Sequence, residues 1–161
     1  MTAIMSLTEL LKQADPQSLE AGHRIFSRGQ TADGVHYLLQ GRVGLGLYQG
    51  EQSPHRLSKM LAPGWVDLSG AVLDQPMSYD AVAETPLLVK RVRLRDFQAW
   101  LTQQSAATRD LIHDLALGQR QMAELSVSRL AMDAQARCAE WLLEHAQPID
   151  RESMAVQFTQ R

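Results

Sequence analysis

Few residues of this 161-residue chain are equipped for covalent chemistry. Its five histidines, His23, His36, His55, His113 and His145, are scattered, without the short spacing that would place two of them on one metal. Cys138 is the sole cysteine, so no disulfide closes within the chain and no four-cysteine iron–sulfur cluster assembles. On the apolar side of a helix its thiol is expected to be a buried packing group. No nucleophile–base pair and no phosphate-cradling loop stands out, so neither an enzyme nor a bound cofactor or metal is expected. Non-covalent sites remain. Lys90-Arg91-Arg93-Arg95 gathers four cations; read as a strand, it sets Arg91, Arg93 and Arg95 on one face, best explained as a solvated rim.

The elements that must position these groups change character along the chain. Ser6-Leu7-Thr8-Glu9 is a capping box opening a helix over Thr8–Ala14, which Asp15-Pro16 stops. From Leu19 to Arg93 short strands alternate with glycine and proline turns. Ile25-Phe26, Val35–Gln40, Val43–Tyr48, Arg56–Leu61, Ser78–Ala83 and Leu87–Val92 are expected to be strands, with 49–54 a polar hairpin tip. Val43, Leu45 and Leu47 alternate with Gly44, Gly46 and Tyr48, the period of a strand with one buried face. So many short strands imply an antiparallel β-barrel or jelly roll, closed so that few edges stay exposed.

Past Arg93 the period becomes helical. Leu94, Phe97 and Leu101 share a face of a short helix. A long one is expected over Ser105–Leu130, roughly 39 Å at 1.5 Å per residue. Along it Leu111, Leu115, Gly118, Met122 and Leu125 recur at spacings of four and three, a seam on which a second copy could pack, with Gly118 allowing close approach. His113 lies beside it. A further helix, Asp133–Ala146, ends before Gln147-Pro148, and Met154–Phe158 is expected to be a strand. The hydrophobic fraction of 45% and charged fraction of 21% are those of an ordinary folded domain. Sixteen basic against eighteen acidic residues give a net charge of −2, which argues against nucleic-acid binding by these residues alone. No apolar run reaches membrane-spanning length and the N-terminus lacks the pattern of a secretory signal, so a cytoplasmic location is expected.

With Gly29, Asp33, Tyr37-Leu38-Leu39, Gly41, Val43 and the Leu61-Ala62-Pro63-Gly64 turn in this order, the sequence resembles the CRP/FNR superfamily of transcription regulators over nearly its whole length. The resemblance implies an α+β fold with flanking helices. It divides the chain into a cyclic-nucleotide-binding-like barrel (1–104), a dimerisation helix (105–131) and the start of a winged helix-turn-helix domain (132–161). Asp133–Ala146 resembles the helix that begins the family's DNA-binding domain. Phe158-Thr159-Gln160-Arg161 resembles the strand and cap before its reading helices, with Thr159 as N-cap. The glycines, Asp33 and Tyr37 are expected to be scaffold, Asp33 accepting hydrogen bonds from turn amides.

The resemblance also locates an effector site at Asp67, Leu68, Ser69, Gly70, Ala71, Ser78, Tyr79 and Asp80, with Met122 and Ala123 facing it from the long helix. In cyclic-nucleotide-binding members this segment carries a Gly-Glu for the ribose and an Arg-Ser or Arg-Thr for the phosphate. Here Leu68 stands at the Glu position, and Tyr79-Asp80, with Ser78 before them, replace the Arg-Ser pair. A carboxylate beside a phosphate repels it, and the lost contacts cost several kcal/mol. Cyclic AMP and cyclic GMP are therefore not expected as effectors, leaving an unidentified small molecule or an empty, purely structural pocket. The implied function is the sensing and dimerisation part of a regulator, pairing with itself, reaching DNA only in a longer protein and touching no membrane. The basic cluster would then contact an anionic effector or polymerase if it is not merely a rim. The alternative is a stand-alone ligand-binding or interaction module without a DNA role.

Overall fold

The computed structural model describes residues 6–48, 55–131, 134–148 and 154–155. They form two compact units, divided between Val127 and Ser128. In the first unit, α1 (Leu7–Lys12) opens on the capping box: Glu9 N–H donates to Ser6 Oγ at 3.2 Å and Ser6 N–H to Glu9 Oε2 at 2.6 Å. The helix stops earlier than Ala14, and the carbonyl of Leu11 is met by Lys90 Nζ at 3.0 Å. That leaves room for a strand the sequence did not advertise, β1 (Pro16–Leu19). Proline has no N–H to give a ladder, but it is tolerated as the first residue of an edge strand, and β1 is an edge.

Two four-stranded antiparallel sheets face one another. One runs β1-β8-β3-β6, with β3 (Gly34–Gln40), β6 (Gly64–Val66) and β8 (Leu87–Arg93). The other runs β2-β7-β4-β5, with β2 (Arg24–Phe26), β4 (Arg42–Leu47), β5 (His55–Leu61) and β7 (Asp80–Ala83). The antiparallel jelly roll read from the glycine-punctuated strands is thus what forms, with β6 added where only a turn was expected. The polar tip at 49–54 lies outside the described residues.

Pairing across the sheets separates two packed layers. Leu38 lies opposite Val89 and Val43 opposite Ala83, all four buried within the roll. Val35 lies opposite Val92 on the other side of their sheet, where both join Leu10, Ala71 and Phe97 beneath the helices. Val89 and Val92, three residues apart on one strand, therefore serve opposite faces, as the period of two requires. Gly41 makes the β3–β4 turn at φ +98°, and a Cβ there would lie 2.5 Å from the Pro86 carbonyl oxygen. Tyr48 folds back so that its hydroxyl reaches the space a side chain at Gly44 would need, while a Cβ at Gly46 would meet the His55 carbonyl of β5.

α3 (Leu94–Thr102) follows β8 directly. Arg95 is therefore helical and does not continue the strand face of Arg91 and Arg93, correcting the reading of the basic cluster. α4 (Ala106–Ala131) is the long helix; Ser105 caps it by accepting the Thr108 N–H on Oγ at 3.1 Å. Ala116 and Val127 are buried. Leu111, Leu115, Met122 and Leu125 are 60%, 66%, 75% and 48% exposed.

In the second unit, α5 (Ala134–His145) precedes the antiparallel pair β9 (Gln147–Pro148) and β10 (Met154–Ala155). Cys138 is exposed, not buried as its apolar helix face suggested. Trp141, Leu142 and Leu143 on the same helix are also exposed. Of the strand expected over Met154–Phe158, the described residues include Met154-Ala155, and the capping segment around Thr159 lies outside them.

Candidate functional site

The site is built where β6 runs into a one-turn helix. Asp67 adopts φ +29°, a backbone state that suits glycine, at the position where the family resemblance places a glycine. Its own carboxylate compensates: Oδ1 accepts the Ser69 N–H at 2.8 Å and caps α2 (Ser69–Leu73). Asp74, left-handed at φ +52°, closes that helix. Leu68 packs with the apolar cluster around Phe97. Leu68 is thus part of the seam that fastens α2 to α3.

The chain then returns through Gln75–Ser78. Met77 N–H donates to the Gln30 carbonyl at 2.9 Å, and Gly29 N–H to the Met77 carbonyl at 2.8 Å, so the return loop is tied to the β2–β3 turn. Gly70 is needed beneath it: a Cβ would stand 2.5 Å from Met77 Sδ and 3.0 Å from the Gln75 carbonyl. Tyr79 enters the interior at 4% exposure, its ring centroid 6.3 Å from that of Phe26. Burial, followed by the charge of Asp67, raises the phenol well above its ordinary range and keeps it protonated. Ser78 Oγ is buried without a hydrogen-bond partner.

Asp80 faces elsewhere. Its carboxylate accepts the Arg28 N–H at 2.9 Å and the Tyr48 N–H at 2.8 Å, and pairs with Arg24 at 2.8 Å. Its charge is consumed by the scaffold. From α4, Arg120 Nη1 donates to the Pro76 carbonyl at 2.6 Å, and the same guanidinium meets Glu124 at 2.7 Å. Met122 is largely exposed, and Ala123 is half-buried. The structure therefore brings Asp67, Ser69, Gly70, Ala71, Ser78 and Tyr79 into one neighbourhood and leaves Met122 outside it.

Arg120 went unnoticed in the sequence, although a signal existed. Ile112, Ala116, Arg120, Ala123 and Val127 recur at spacings of four and three on the side of α4 opposite the leucine seam. A small cavity of about 10 Å³, enough for one water, is lined by Phe26, Asp33, His36, Asp67, Ala71 and Met77. His36 on its wall is buried, and burial, followed by the nearby Arg91, pulls its imidazole down to about 4, so it is neutral at neutral pH.

A wider open groove of about 320 Å³ lies between α1, β1, β8 and α3. Its guanidiniums are engaged, Arg91 with Asp33 at 2.8 Å and Arg93 with Asp96 at 2.8 Å, while Arg95 reaches Asp96 at 3.3 Å. Asp33 thus holds an arginine through its carboxylate, and its carbonyl accepts the Leu94 N–H at 3.2 Å, in place of the turn amides expected for it. Among the described residues no group of three His, Cys, Asp or Glu is arranged to hold a metal, and no helix is long and apolar enough to cross a membrane.

Two facing four-stranded sheets, a one-turn helix after β6, a loop returning beside it and a long helix behind define a cyclic-nucleotide-binding type of regulatory domain, a binding and not a catalytic module. The chain belongs to that family: the model of the cyclic nucleotide-binding domain matches residues 16–104. Among solved structures, the sensor domain of the transcriptional regulator DNR from Pseudomonas aeruginosa is similar at 22% identity and a TM-score of 0.56, over 72% of this chain and 78% of that one. The cAMP-bound EAL enzyme Bd1971 is similar at 14% identity and a TM-score of 0.59, over 81% of this chain but 33% of that one. The regulatory domain of Toxoplasma gondii PKA with cAMP is similar at 15% identity and a TM-score of 0.55, over 68% and 41%. This chain thus spans about a third of the EAL enzyme, and at these identities the likeness is one of fold. No curated protein matches the chain in sequence.

Proposed function

We propose that residues 6–131 are the sensing and dimerisation part of a CRP/FNR-type transcription regulator, with residues from 132 onward beginning its DNA-binding domain. In this reading two copies pair along α4 and signal by the relation of barrel to helix, and cyclic AMP is not the signal. The observation that carries the pairing is the seam on α4. Leu115 and Met122, 66% and 75% exposed, stand on one side, while Ala116 and Val127 on the other are buried. A repeating line of large apolar side chains facing water calls for a cover, and a twofold-related copy of the same line supplies one.

Two features support the exclusion of cyclic AMP. Leu68, which the resemblance places at the ribose position, is committed to packing, and Tyr79 is buried at 4% exposure where the resemblance places the phosphate-binding Arg. Because Asp80 is neutralised by Arg24, the obstacle is occupancy by Tyr79 and the lack of a phosphate-binding Arg, more than repulsion by Asp80.

The test is calorimetric titration of the chain with cyclic AMP and cyclic GMP, together with its mass in solution by light scattering. No heat of binding and a dimeric mass are expected. A monomer would favour a stand-alone module, and binding at micromolar concentration would restore cyclic nucleotide as the effector.

A further inference from the structure

On the side of α4 opposite the leucine seam, Ile112, Ala116, Ala123 and Val127 are apolar, and Arg120 is the charged member of that stripe. Its side chain is 14% exposed, unusually covered for an arginine. We propose that Arg120 is the coupling residue of this unit: it joins the loop after α2, residues 74–78, to α4, so that displacing either one displaces the other.

The loop is held at three successive residues, each by a different element. Gln75 N–H donates to the Gly70 carbonyl of α2 at 3.1 Å. Pro76 has no N–H, and its carbonyl accepts from Arg120 Nη1 at 2.6 Å. Met77 N–H donates to the Gln30 carbonyl at 2.9 Å, and the Met77 carbonyl accepts the Gly29 N–H at 2.8 Å. The bonds to α2 and to the β2–β3 turn run between main-chain groups, whereas the bond to α4 is made by a side chain. Glu124, one turn further along α4, meets Arg120 Nε at 2.7 Å and so fixes the direction in which the guanidinium points.

A hydrogen bond from a charged donor is stronger than one between neutral groups, and breaking it at a largely covered guanidinium leaves a cation that water reaches poorly. Moving the Pro76 carbonyl therefore costs free energy unless α4 follows, and moving α4 costs the same unless the loop follows. Such a link is reciprocal by necessity. A ligand shifts an equilibrium only by its preference for one state over another, so one that leaves Pro76 in place leaves α4 docked, and one that pushes 75–77 aside releases it. As a route for a signal this rests on the sensing role proposed above. As a mechanical link it uses contacts among residues 29–124 and stands whether or not two copies pair or DNA is ever bound.

Hydrogen–deuterium exchange of the whole chain reads the link from both ends. It is made in a Leu115→Glu background, so that protection of α4 by a second copy cannot mask the effect. Arg120→Met keeps the stem and removes the donors. It is expected to speed exchange of the Asp74, Gln75 and Met77 amides severalfold, and of α4 amides between 112 and 127, with β3 and β8 unchanged. Gly70→Ala moves the loop instead: its Cβ would stand 2.5 Å from Met77 Sδ, which can swing away, and 3.0 Å from the Gln75 carbonyl, which can yield only with the loop. It is expected to speed the same α4 amides, and to add nothing to them once Arg120 is Met. Unaltered loop exchange in Arg120→Met overturns the link, as do effects on α4 that simply add in the double variant. A monomeric mass for the unsubstituted chain, or a heat of binding from cyclic AMP, would count against the reading above and leave the link standing.

Discussion

The carboxylate of Asp80, at the start of β7, accepts the backbone N–H of Tyr48, at the end of β4, at 2.8 Å. The same carboxylate takes the Arg28 N–H and the Arg24 guanidinium. One side chain thereby fastens three segments of the roll, the start of β2, the turn after it and the residue that follows β4. An acidic residue beside a presumed anion site turns out to be a structural clasp. Replacing it with Ala strands two amides and a cation and is expected to lower unfolding free energy by about 3–5 kcal/mol. Asn, which keeps one acceptor, should cost about 1–3 kcal/mol. Urea denaturation followed by tryptophan fluorescence compares the two, and equal losses would show that the charge carries everything.

His36 makes stability depend on pH. Its folded imidazole titrates at about 4, below the ordinary value of 6.5, because of burial and then Arg91. The unfolded chain therefore binds the extra proton first. Stability from this residue is complete above about pH 6.5 and falls as the pH drops towards 4, by roughly 3 kcal/mol at most. His36→Gln should flatten the part of the profile lying between those values. Denaturation midpoints across that range check it, and an unchanged slope in the variant would assign the acid sensitivity to other groups.

Leu115→Glu places a charge in the α4 seam without touching the barrel, since the side chain is largely exposed. The expected result is a monomer whose thermal midpoint, at low protein concentration, stays close to that of the parent monomer. Sedimentation velocity reads the mass directly. If Leu115→Glu and the parent sediment identically as dimers, the pairing surface lies elsewhere.

At Gly41, φ +98° and the Pro86 carbonyl 2.5 Å from a would-be Cβ act together. Gly41→Ala is expected to cost at least about 2 kcal/mol, because the backbone strain is added to a contact with main chain that cannot swing away. Gly22, also at positive φ but with nothing within 4 Å of its Cβ position, should tolerate Ala at a smaller cost. Paired denaturation curves for the two variants separate strain from collision.

Local signals were legible in the sequence wherever a residue's conformation is set by its near neighbours. The capping box at Ser6 and Glu9, the tight turn at Gly41, the alternation along β4 and the switch to helical period after Arg93 all depend on steric and hydrogen-bonding rules acting over a few residues. Together with the order of the turns they were enough to specify the jelly roll and its long helix. What could not be read there depends on partners far along the chain. Asp80 spends its charge on residues 32 to 56 positions away. Arg120 finds the Pro76 carbonyl 44 positions before it, and Lys90 meets a helix carbonyl 79 positions before it. Cys138 looks buried by periodicity, yet it is exposed. A side chain's type limits the bonds it can make, but only the closed sheets decide which groups stand within 3 Å of it, and hence whether a polar residue serves a ligand or the scaffold.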